Sequence, residues 1–179
     1  MFRATALVFL CVCAAAAAPT RAAVLDVSAS GFTTRSEAHI NAAPAKVYAT
    51  LLHDVGKWWN PDHTYSGKSA NLSIEARVGG CFCEHLEHGG AVEHARVINL
   101  QPGTLVRMSG AFGPLQSSGL AGTLSWALAA ADGGTRVQLT YGVGGYVQGG
   151  FAELAPAVDG VLGGQLDRLK AFAETRKVP

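Results

Sequence analysis

Charge is scarce in this sequence, only 15% of its 179 residues, and what there is nearly balances: 14 Lys and Arg against 13 Asp and Glu. No basic run occurs outside the first 22 residues, so the chain lacks the electrostatic footprint that nucleic acids or anionic membrane surfaces demand. Long apolar runs are missing as well, except at the start. There Arg3 precedes an apolar stretch from residue 6 to residue 18, and Thr20 and Ala22 supply small residues before a cut at Ala23. That pattern is a signal peptide over residues 1–22, too short for a comfortable membrane span, and it implies a periplasmic or secreted protein. Its removal takes Arg3 and Arg21 with it, so 14 basic and 13 acidic residues become 12 and 13. The processed protein keeps no predicted membrane span. A small uncharged or amphipathic partner suits this composition better than a polyanion.

Cysteine is equally sparse. Cys11 and Cys13 leave with the leader, and the remaining pair, Cys81 and Cys83, stands as C-x-C. Residues two apart on a strand share a face at a spacing awkward for a bridge, so a disulfide, free thiols and a bound metal all stay open. No fixed-period repeat and no disordered linker is present, and no cofactor is called for. The length suits one domain with a substantial core.

What the chain does have is a long amphipathic segment at its end, residues 150–176. At one hundred degrees per residue, Phe151, Leu154, Val158, Val161, Leu162, Leu166, Leu169 and Phe172 gather on one arc, opposite Glu153, Asp167, Arg168, Lys170 and Glu174. Gln165 lies inside the apolar arc, where its amide needs a partner, a first hint of a cavity. Gly160, Gly163 and Gly164 are expected on the outer arc, and with Pro156 they weaken the helix at its beginning. A loose amino-terminal half that opens for ligand entry follows as an expectation.

Upstream, residues 23–31 are small and polar and predict a loose lead-in. Residues 32–41 alternate as a strand, with Phe32, Thr34, Ser36, Ala38 and Ile40 on one face. Pro44 opens a helix whose apolar positions, Val47, Tyr48, Leu51, Leu52 and Val55, run up to Gly56. Trp58 and Trp59 follow at a corner, and at least one of them must pack inward. Six further strands are predicted at 71–76, 81–86, 91–100, 105–110, 120–130 and 135–146, separated by Gly-, Pro- and Asp-rich turns. An antiparallel sheet of about seven strands with one long helix across it is an α+β sandwich.

This order, together with particular wording, resembles the START-like helix-grip superfamily, also called SRPBCC. The wording comprises Ile40-Asn41-Ala42-Ala43-Pro44-Ala45-Lys46-Val47-Tyr48 at the strand-to-helix entry, Trp58-Trp59 after the helix pair, Val78-Gly79-Gly80-Cys81-Phe82 with Val97 and Gln101-Pro102-Gly103 in the hairpins, and Gly134-Thr135-Arg136-Val137 at the penultimate turn. The resemblance is to the polyketide cyclase/dehydrase-like and heat-shock-ATPase-activator-homologue branches, and it covers nearly all of residues 32–176. It implies a helix-grip fold, with a deep cavity between sheet and C-terminal helix that binds lipids, hormones or polyketides and in some members catalyses. A signal peptide sets this chain apart from the cytosolic co-chaperone branch.

Three functional readings follow. In the first, an apolar ligand lies against Trp58, Trp59, Phe82, Met108, Phe112, Trp126, Tyr141, Leu154, Val158 and Gln165, with Leu115 near the mouth and His63 and Tyr65 at the entrance or on a surface loop. In the second, the 81–86/91–100 hairpin pairs Leu86 with Ala91. This sets Glu84 opposite Glu93 on the face turned to the helix, where two desolvated carboxylates would share a proton in a cyclase, dehydratase or hydrolase. The alternative is that both are solvated or paired with Arg77 or Arg107. In the third, Cys81, Cys83, His85 and His94 share the opposite face and offer two sulfurs and two nitrogens to a metal, although strand spacing makes them diverge.

Overall fold

The computed structural model describes residues 21–179. The leader expected at the start lies outside the described residues as far as residue 20. Eleven main elements follow: β1 (Arg21–Val27), β2 (Gly31–Ile40), α1 (Pro44–His53), α2 (Val55–Trp58), β3 (Leu72–Ile74), β4 (Cys81–His85), β5 (Ala91–Gln101), β6 (Leu105–Ser109), β7 (Gly119–Ala131), β8 (Gly134–Tyr146) and α3 (Leu154–Thr175). The eight strands form one antiparallel sheet in the order β1-β2-β8-β7-β6-β5-β4-β3. Strands β3 to β8 make a six-strand meander. The chain then places β8 against β2, so the α1–α2 pair must carry it from β2 across to the far edge at β3.

The sheet has one strand more than the sequence predicts. Residues 23–31 do not form a loose lead-in: most of them belong to β1, which pairs with β2 from Arg21↔Glu37 to Val27↔Phe32. Leu25 and Val27 are 49% and 42% exposed, so this edge strand buries no alternating apolar face, which is why the pattern gave no sign of it. On β2 the predicted inner residues, Phe32, Thr34, Ser36, Ala38 and Ile40, are all buried.

Helix α1 opens on Pro44, whose missing N–H costs nothing in a first turn. Both tryptophans pack inward. The Trp58 indole N–H donates to the Thr50 carbonyl and that of Trp59 to the His63 carbonyl, each at 3.1 Å. Trp58 stacks edge-on against Trp126, with centroids 6.0 Å apart, and Trp59 against Phe82 at 5.4 Å. Together with Met108, Leu124 and Leu139, all fully buried, they belong to one core that also takes in Leu166 and Leu169 from the carboxyl-terminal half of α3.

That half of the helix is firmly tied. Leu166, Leu169, Phe172 and Ala173 are buried, the Arg168 guanidinium donates to the Trp58 carbonyl at 2.9 Å, and Lys170 donates to the His39 carbonyl at 2.7 Å. Gln165 accepts from the Asn60 amide at 2.9 Å. The amino-terminal half carries fewer ties. Phe151 packs on Phe32 at 5.7 Å, and Gly160 and Gly164 face open space. Gly163 is buried on the inner face, which corrects its expected place on the outer arc.

Candidate functional site

The difference between the two halves of α3 leaves a cavity of about 410 Å³ beneath the amino-terminal half. Leu154, Ala157, Val158, Val161 and Leu162 of α3 form one wall. Trp59 and the loop after α2, from Asp62 to Tyr65, form a second, and Phe112 to Leu115 after β6 form a third; Tyr141 of β8 and His94 of β5 close the remaining side. The volume falls within the range of small-molecule sites, and the walls are mostly apolar, as such sites require. A second depression of about 460 Å³ lies over β1, β2, β7 and β8, but it is open and lined largely by Gly, Ser and Thr, without enclosing apolar walls.

The polar end of the cavity depends on a β-bulge. Cys81 pairs with Arg96 and Phe82 with Ala95, but Cys83 pairs with Glu93, so His94 is the extra residue on β5. A bulge re-aims side chains, and here two successive residues, His94 and Ala95, both turn inward. Glu93 turns out. It is about half exposed and forms an ion pair with Arg96. The expected carboxylate pair therefore does not exist: between the turn and the bulge the register is one residue off the expected Leu86–Ala91 pairing, with His85 opposite Ala91 and Glu84 opposite Val92, and only past the bulge, at Phe82–Ala95 and Cys81–Arg96, does it agree.

Glu84 does face inward and is completely buried. Its carboxylate accepts from three donors: the Tyr65 amide at 3.0 Å, the Ser66 amide at 2.5 Å and His94 Nε2 at 2.9 Å. Burial pushes the Glu84 carboxyl up, but the bonds from Ser66, Tyr65 and His94 outweigh it and hold it below the usual carboxylate range. Burial pushes the His94 imidazole down; the Glu84 contact opposes this without overcoming it. The pair is thus a carboxylate and a neutral imidazole. A carboxylate only accepts, so Nε2 carries the hydrogen and Nδ1 keeps a lone pair that no described residue engages. The Tyr65 and Phe82 rings flank the imidazole at 5.9 and 5.2 Å.

Tyr141 closes the floor. Its hydroxyl donates to the Gly110 carbonyl at 2.8 Å and accepts the Phe112 amide at 3.2 Å, and burial pushes its pKa up to about 12. Its ring lies over Gly122, where a Cβ would come within 2.6 Å of it, so only glycine fits there.

Of the residues expected to touch a ligand, Trp59, Phe112, Tyr141, Leu154 and Val158 line the cavity, with Leu115, His63 and Tyr65 beside them. Trp58, Phe82, Met108 and Trp126 lie in the adjoining core. Gln165 is also away from the cavity, since its amide is satisfied by Asn60 at the tryptophan corner. The metal set is not assembled: Cys81 and Cys83 are joined in a disulfide, and His94 faces the cavity while His85 is exposed on the other side. Among the described residues no group of three or more His, Cys, Asp or Glu is placed to hold a metal ion. No helix among them is long and apolar enough to cross a membrane.

A mostly apolar cavity under a C-terminal helix gripped by an antiparallel sheet defines a ligand-binding helix-grip protein of the SRPBCC type. The chain belongs to the polyketide cyclase / dehydrase and lipid transport family, whose sequence profile matches residues 31–174.

Among solved structures, it resembles a conserved protein of unknown function from Enterococcus faecalis, with 15% identity over 89% of this chain and 80% of that one and a TM-score of 0.63. It also resembles the Aha1 dimer of Colwellia psychrerythraea, with 22% identity over 80% and 96% of the two chains and a TM-score of 0.58. CalU16 from Micromonospora echinospora gives 13% identity over 88% and 86%, with a TM-score of 0.55. At these identities the likeness concerns the fold. A 53-residue stretch is 38% identical to part of the bifunctional uridylyltransferase/uridylyl-removing enzyme of Streptomyces coelicolor, covering 30% of this chain and 6% of that protein.

Proposed function

We propose that this is an exported binding protein for a small hydrophobic or amphipathic molecule, held with its apolar body against Leu154, Val158, Val161 and Phe112 and its polar end toward His94. The observation that carries this reading is the 410 Å³ cavity, mostly apolar yet ending on one buried, fully oriented carboxylate–imidazole pair. A purely structural core would have no use for an imidazole nitrogen left open to a cavity. Native mass spectrometry of protein purified without detergent, with organic extraction of what it carries, tests it. A bound small molecule released on denaturation supports the reading; an empty protein that no apolar probe enters removes it.

Export rests on the leader-like residues 1–22. One feature of α3 agrees with processing after Ala22. Asp159 accepts a hydrogen bond from the Ala23 amide, and its Oδ1 is buried without a partner among the described residues. Cleavage there would turn the Ala23 nitrogen into an α-ammonium, giving the carboxylate a cation with additional donors.

A second reading is an enzyme of cyclase or dehydratase type. The pair that favours it is Glu84 with His94, in place of Glu84 with Glu93. A neutral imidazole oriented by a carboxylate and opening on an apolar cavity is what general-base catalysis requires. Turnover of a candidate substrate that survives Glu84→Gln unchanged would remove this reading and leave binding untouched.

A further inference from the structure

The polar groups around the cavity are unequal in what they offer a ligand. Nearly every donor hydrogen on the lining is engaged within the protein. The Trp59 indole N–H goes to the His63 carbonyl, the Thr64 hydroxyl to the Pro61 carbonyl, the Tyr65 hydroxyl to the Gly113 carbonyl, and the Tyr141 hydroxyl to the Gly110 carbonyl. The open group is an acceptor. His94 Nδ1 has its lone pair free because Nε2–H is fixed on Glu84. Charge points the same way: Glu84 stands behind the imidazole, Asp62 lies on the lining, and no Lys or Arg lines the cavity among the described residues.

We propose that the cavity selects neutral apolar molecules bearing a hydroxyl, such as phenols, enols or alcohols, over the matching carboxylates, with His94 Nδ1 as the atom that accepts the hydroxyl hydrogen. This rests on the reading of the cavity as a ligand site and specifies its ligand class. Among the described residues, a carboxylate entering here finds no free side-chain donor apart from the His63 ring and approaches a buried anion, so its lost hydration is poorly compensated. A hydroxyl gains the partner it lost in water, while its apolar body fills the remaining walls. A site built around one such bond discriminates strongly against an analogue lacking it, because the buried acceptor is then left unpaired.

The preference has a built-in pH dependence. The groups facing His94 are Glu84 from β4, Asp62, His63 and Tyr65 from the loop after α2, and Tyr141 from β8; the α3 wall contributes only Leu154, Ala157, Val158, Val161 and Leu162. Protonation of His94 turns Nδ1 from acceptor into donor and supplies a cation, so acidification removes the bias against carboxylates. His63 is the other imidazole on the lining, which makes His63→Gln the control.

The test is calorimetric titration of the full-length protein with 2-naphthol, 2-naphthoate and naphthalene at about pH 8 and about pH 5, on either side of the ordinary imidazole range. At the higher pH, 2-naphthol is expected to bind at least ~10-fold tighter than either of the others, and its advantage over 2-naphthoate should collapse at the lower pH. His94→Gln keeps an amide donor for Glu84 and an acceptor for the ligand, so it should retain the preference and lose its pH dependence. The double change Glu84→Gln with His94→Phe removes both charge and acceptor and should bind naphthalene and 2-naphthol alike. Equal binding of 2-naphthol and 2-naphthoate to the native protein at about pH 8, or an unchanged preference in the double variant, overturns the proposal and leaves the ligand cavity standing. Failure of all three probes to bind tells instead against the cavity as a ligand site.

Discussion

His94 Nε2 donates to Glu84 Oε2 at 2.9 Å, with the histidine 6% and the glutamate 0% exposed. The two are ten residues apart in sequence and on neighbouring strands, and they meet only because β5 carries one extra residue at that point. The pair fixes the tautomer that leaves Nδ1 an acceptor on a residue lining the cavity, so its consequences should be measurable in stability as well as in binding.

Both groups lie below their ordinary values in the folded protein, His94 below 6.5 and Glu84 below 4.5. The unfolded chain therefore takes up protons first, and the stability each group contributes is present above its ordinary value and lost on acidification. Denaturant midpoints should fall as pH drops below the ordinary imidazole value, and fall again below the ordinary glutamate value. A flat profile down to the carboxylate range would contradict the assignment of His94 as neutral.

Replacing one member of the pair leaves the other buried without its partner. Glu84→Ala strands the Tyr65 and Ser66 amides together with His94, and should cost about 3–5 kcal/mol in urea unfolding. Glu93→Gln is the contrast. Glu93 is about half exposed and paired with Arg96 at the surface, so its loss should change stability by less than about 1 kcal/mol and leave probe binding unaltered.

Gly160 and Gly164 sit in the half of α3 that covers the cavity, and a Cβ at either meets nothing within 4 Å. Alanine at each should stabilise the protein by about 0.5–1 kcal/mol by improving helix propensity. If this half of the helix opens to admit ligand, the same changes should slow probe association and amide exchange over residues 154–164. Full exchange protection of that segment in the free protein would count against a gate.

Gly122→Ala should have the opposite sign. The added methyl falls within 2.6 Å of the Tyr141 ring and 2.7 Å of the Gly110 carbonyl, so the floor of the cavity must shift. A loss of about 1–3 kcal/mol with weakened probe binding is expected. Retention of both would show that Tyr141 does not shape the site.

Much of the fold was legible from periodicity. The apolar arc of α3, the Pro44 start of α1 and the alternation on β2 each follow from burial on one face, which leaves a mark in sequence. Edge strand β1 left none, because it buries little of its own side-chain surface. The candidate site was half legible. Glu84 could be turned inward by alternation along β4, but His94 could not, since a bulge inserts one residue without any required sequence signature. Nor does the sequence show which donors meet Gln165 or Glu84: Asn60, Tyr65 and Ser66 supply backbone amides, and any residue type can do so.

The central claim is that the space under the amino-terminal half of α3 holds a small apolar ligand. It is tested most directly by titrating an environment-sensitive apolar fluorophore into the native protein and into the protein with Val158→Trp, which places an indole inside that space. The account predicts saturable binding by the native protein, at least ~10-fold weaker in the variant with its folded circular dichroism intact. Equal binding to both, or none to the native protein, would contradict it.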